Sequence, residues 1–130
     1  MLPEIVEVVR SFEVADQVLF SQLNSSTAVL IPENSGSAVI VQDRGDTITV
    51  RTGLDVSVNI DPEEEDFTVL LRDLLAALRD GKAEERLATV YRNRLAPDGY
   101  KVEYASGSMQ EFGERSGREY AVRLPAWNAS

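Results

Sequence analysis

Neither cysteine nor histidine occurs among the 130 residues of this sequence. That double absence excludes a disulfide, a thiolate nucleophile, an imidazole acid–base pair and a zinc site built from its usual ligands. Lysine is scarce too: Lys82 and Lys101 stand against 11 arginines, a bias that reads as the mark of a GC-rich genome. No run of about 18 apolar residues is present to span a bilayer. The first residues, MLPEIVEVVRSFEV, carry acids early and no basic stretch ahead of an apolar core. They do not read as a secretory signal, and a cytoplasmic protein is expected.

The remaining composition, 43% hydrophobic and 27% charged, is that of a globular protein, and the length suits one domain over residues 1–130. The formal net charge of −9 argues against nucleic acid, whose phosphates require clustered Lys and Arg. The charge is unevenly spread: residues 1–66 hold 13 acids and three bases, residues 67–130 nine acids and 10 bases. An acidic surface speeds encounter with a basic protein partner; it also simply keeps a protein soluble.

The clearest local pattern is DPEEEDFTVLLRDLLAALRDG, residues 61–81. Asp61 suits an N-cap, Pro62 the first helical position, and Glu63 to Asp66 the positive end of the helix dipole. Phe67, Leu70, Leu71, Leu74, Leu75 and Leu78 form one apolar stripe, and Gly81 suits a left-handed C-terminal cap. A stripe this wide predicts a helix lying flat on the meander, with Leu71 and Leu75 buried within the chain; a dimer contact for part of it is the alternative. Upstream, Pro3, Ile5, Val8, Val9, Phe12, Ala15, Leu19 and Leu23 predict a helix over 3–23, with a strand over 5–9 as the alternative.

Between the two helices, TAVLIP, SAVIVQD, TITVRT and LDVSVNI are β-branched runs joined by the short links PENSG, DRGD and TG. Links this short force antiparallel neighbours, so residues 27–60 predict a four-stranded meander. Thr27–Ile31 and Ala38–Val41 are almost continuously apolar, which implies either cover on both faces or a surface offered to a partner. Downstream, residues 82–95 fit a helix or a strand, and the turn signal Ala96-Pro97-Asp98-Gly99 favours a hairpin of residues 86–95 and 100–105. It would set Tyr91 near Tyr100, Val102 or Tyr104, with Arg92 and Arg94 on the face of Lys101 and Glu103. Residues 106–117 read as a long mobile loop, 118–124 as a last strand with Tyr120, Val122 and Leu124 on one side, and Trp127 as part of a short tail. The fold class is therefore α+β: two layers, an antiparallel β-meander sheet packed against two amphipathic helices.

No catalytic motif survives inspection. The Gly107–Gly113 stretch has Glu114 where a phosphate-binding loop needs Lys, and Ser116 lies one place too late for a nucleophile elbow. Consecutive helical carboxylates from Asp61 to Asp66 point apart, so few of them could share a cation. The pairs Asp43 with Asp46 and Glu111 with Glu114 fall in expected turns or loops. No catalytic residue, metal ligand or cofactor is assigned, and the chain reads as a non-enzyme. Met109, Phe112, Arg115 and Trp127 are the candidate interaction residues, because aromatic and Arg side chains dominate interface energetics. The expected function is that of a non-catalytic adaptor, chaperone-like or immunity-like module, contacting a basic protein partner or a second copy of itself. A small-ligand-binding domain lined by Tyr91, Tyr104 and Phe112, or a carboxylate-dependent enzyme, are the alternatives. The element order is similar, in architecture alone, to secretion chaperones and toxin-immunity proteins of bacteria.

Overall fold

A computed structural model describes residues 1–15, 17–90, 94–113 and 119–127. Helices α1 (Pro3–Ala15) and α2 (Phe67–Arg79) cover one face of a five-stranded antiparallel sheet. Its strands, in spatial and sequence order, are β1 (Val18–Asn24), β2 (Thr27–Pro32), β3 (Val39–Asp43), β4 (Ile48–Thr52) and β5 (Val56–Ile60). A second antiparallel sheet is built from β6 (Ala83–Val90), β7 (Arg94–Glu103), β8 (Met109–Phe112) and β9 (Glu119–Arg123), in the order β8-β7-β6-β9. The α+β class and the four strands of residues 27–60 stand as expected.

Alternation decides the core. Val41, Val50 and Val58 lie opposite one another across β3, β4 and β5, and every one is buried. Ala28, Leu30, Val39, Ile48, Val56 and Ile60 extend that inner face. Against it α1 lays Ile5, Val8, Val9 and Phe12, and α2 lays Leu71, Leu74, Leu75 and Leu78. Each such side chain contributes about 1.5–3 kcal/mol when fully buried. Leu71 and Leu75 are therefore core residues of one chain, as the stripe predicted.

Both helices are shorter than their patterns suggest. The first ends at Ala15 rather than Leu23, because Gln17 takes a left-handed φ of 53° and the chain turns into β1. Leu19 and Leu23, which share the helical spacing of Ala15, instead stand exposed on β1. The second helix starts at Phe67, and its N-cap Asp66 makes no side-chain capping bond. Asp61 and Pro62 instead shape a β-turn: Glu64 N–H donates to the Asp61 carbonyl at 3.2 Å, and Glu63 N–H to Asp61 Oδ1 at 2.9 Å. Asp followed by Pro suits the start of a turn as well as that of a helix. The C-terminal end matches expectation: Gly81 has φ 71°, with Lys82 N–H on the Ala77 carbonyl and Gly81 N–H on that of Leu78.

The C-terminal half departs from expectation at three points. Residues 96–99 do not form the hairpin turn; they lie inside β7, where Asp98 is the extra residue of a bulge between the Leu87–Pro97 and Arg86–Gly99 pairs. The connection, with Tyr91 and Arg92, lies outside the described residues. Residues 109–112 are not loop but strand β8, paired with β7. A Cβ on Gly99 would overlap the Phe112 carbonyl, so the absence of a side chain permits that close backbone approach. Finally, Trp127 is not a surface residue. It is 2% exposed, meets Phe12 edge-on at 5.9 Å, and donates its backbone N–H to the Arg79 carbonyl at 3.0 Å.

Candidate functional site

The two sheets meet at a buried carboxylate. Glu85 of β6 accepts the backbone N–H groups of Leu54 at 2.7 Å and Asp55 at 2.9 Å, the tip of the β4–β5 hairpin. Gly53 lets the tip come this close, since a Cβ there would overlap Glu85 Oε1. A second tie runs from the Tyr100 hydroxyl to the Ser57 carbonyl at 2.9 Å. Burial pushes the Tyr100 phenol up from 10.0. The Leu54 side chain, pinned by its own backbone, is 74% exposed, which places it among the most solvent-exposed apolar groups of the surface.

Beside that tip opens a cavity of about 780 Å³. One wall comes from the first sheet, with Ile40, Arg51 and Leu54; the other comes from the second, with Leu87, Val122 and Leu124. This volume lies within the range of about 300–1,000 Å³ typical of ligand pockets. Among the described residues no carboxylate pairs with Arg51 and no cation pairs with Asp55, although both line the cavity.

Register explains why this region is apolar. Tyr100 pairs with Phe112, Val102 with Gln110, Glu85 with Val122 and Leu87 with Tyr120, so all eight share one face of the second sheet. Near the helices this face is core, holding Ala83, Tyr100 and Val102. Farther out the same face continues uncovered: Phe112, Tyr120, Val122 and Leu95 are exposed. The opposite face is charged. Arg86 bridges to Glu111 at 3.1 Å, and Lys101 to Glu103 at 3.4 Å.

The three candidate interaction residues that lie among the described residues are thus dispersed. Phe112 lies on the apolar face, 66% exposed and stacked on Tyr100 at 5.7 Å. Met109, also exposed, pairs with Glu103 on the opposite face. Trp127 belongs to the core, and Arg115 lies outside the described residues. Sequence reasoning missed Leu54 and Leu95. It did group Tyr120 with Val122, and that alternation was the available signal.

A second cavity, about 560 Å³, separates α2 from the β7–β8 hairpin. Asp61, Glu64, Asp66 and Asp73 line it with Leu70, Tyr104 and Gln110, and it holds no cation among its lining residues. Of the three residues expected to line a ligand pocket, Tyr104 is here, Phe112 is not, and Tyr91 lies outside the described residues. The Tyr104 hydroxyl donates to Gln110 Oε1 at 2.8 Å. Burial, then the neighbouring Tyr100 and Asp73, raise its pKa above 10.0. Among the described residues no three acids converge closely enough to hold a metal ion.

Comparisons with protein-family models, curated proteins and solved structures find no match for the chain.

Proposed function

We propose that this protein is a non-catalytic interaction module whose contact surface is the uncovered apolar face of the second sheet. One observation carries the reading. The face that forms core beneath the helices continues outward, and on it Phe112, Tyr120 and Val122 stand exposed. Exposed apolar surface marks contact sites for other macromolecules where it is contiguous, as Tyr120 and Val122 are along β9. The clamp of Glu85 on the Leu54 tip supports the same reading, because a pre-set surface loses less conformational freedom on binding. A photo-crosslinking residue placed at Val122 is expected to form a discrete protein adduct in the native cell, whereas the same residue at Glu65, outside the face, forms none. Absence of any adduct at Val122 would remove the reading.

A further inference from the structure

The geometry points to a second copy of this chain as the occupant of the cavity between the sheets, an inference that rests on the interaction reading above. The surface carries both a projection and a recess. Leu54 is an apolar knob, 74% exposed, at the rim of the cavity of about 780 Å³, which Ile40, Leu87 and Val122 line together with Arg51 and Asp55. A two-fold axis passing between knob and hole places each Leu54 in the other copy's cavity, the arrangement of an isologous interface. Glu85 holds the knob fixed through the Leu54 and Asp55 N–H groups, so docking requires no reordering of the hairpin tip.

The charges on the patch are self-complementary. Arg51 and Asp55 line the same cavity, are both exposed, and have no ion-pair partner among the described residues. Two-fold exchange pairs Arg51 of each copy with Asp55 of the other. Repulsion between two chains of net charge −9 opposes the contact, but charges farther apart than about 8 Å are largely screened at physiological ionic strength.

Sedimentation equilibrium provides the test. The wild-type chain is expected to reach twice 14.4 kDa with a micromolar Kd. Leu54→Asp is expected to weaken association at least about tenfold while leaving circular dichroism and the melting temperature unchanged, because an already exposed side chain is altered. Arg51→Asp and Asp55→Arg should each weaken association, and the doubly exchanged chain should recover it; a purely structural effect would not be rescued. A wild-type chain that stays at single mass at high concentration, an unaffected Leu54→Asp variant, or a failed rescue would overturn the dimer. A Val122 adduct with a different protein would sink the second copy and leave the interaction reading in place. No adduct of any kind would sink both.

Discussion

The carboxylate of Glu85 and the backbone N–H of Leu54, 2.7 Å apart, join the two sheets of this fold. With the Asp55 N–H as a second donor at 2.9 Å, a buried acid is satisfied without any cation. Glu85→Ala leaves both donors without their acceptor, at a cost of about 1–3 kcal/mol. Glu85→Gln keeps one acceptor oxygen and should cost less. Urea denaturation ranks the two variants, and equal midpoints for wild type and Glu85→Ala would show that the clamp adds no stability.

Trp127 tests the core. Its ring lies edge-on to Phe12, and Gly36 is so close that an added Cβ would sit 2.6 Å from the indole. Trp127→Ala is expected to lower stability by about 3–5 kcal/mol, as large-to-small core changes do, with Trp127→Phe losing less. The intrinsic fluorescence of the native protein, which has a single tryptophan, should be blue-shifted and move to the red on unfolding. A native spectrum already typical of hydrated indole would contradict this placement.

Alkali should destabilise the fold through two tyrosines. Burial holds Tyr100 and Tyr104 protonated in the folded chain beyond the ordinary value of 10.0. Above that pH the unfolded chain releases these protons before the folded chain does, so stability falls as pH rises; below it their contribution is fully present. Melting temperature should therefore hold steady up to about pH 10 on this account and decline above it, and Tyr104→Phe should soften the decline. Tyrosinate absorbance offers a direct check. All four tyrosines ionising together at the ordinary value would refute the assignment.

Much of the first sheet was legible because its residues obey one rule at a time. Val56, Val58 and Ile60 alternate with polar neighbours, and the short links between strands allow only antiparallel pairing. Ambiguity entered wherever a residue serves two patterns. Asp61-Pro62 suits both a helix start and a β-turn, and the turn prevailed. Pro97-Asp98-Gly99 signals a tight turn, yet the same freedom makes a bulge. Leu19 fits a helical stripe until Gln17 ends the helix with its positive φ. The candidate site was barely legible. Its walls come from β3, β4, β5, β6 and β9, and only the packing of two sheets brings Leu54 and Val122 to one cavity. Tyr120 and Val122 alternate in the sequence just as core residues do, yet they lie on an edge strand and stand exposed.

The contact of Trp127 with Phe12 also orders events in time. An emerging chain can form α1, the meander and α2 early, because those pairings are local, whereas the contact between Phe12 and Trp127 spans almost the whole sequence. Until synthesis has passed Trp127, the groove beside Phe12 stays without its indole, and the nascent molecule presents apolar surface that the finished one conceals. A chain truncated just before Trp127 is therefore expected to leave that groove open and to melt at a lower temperature than the full chain.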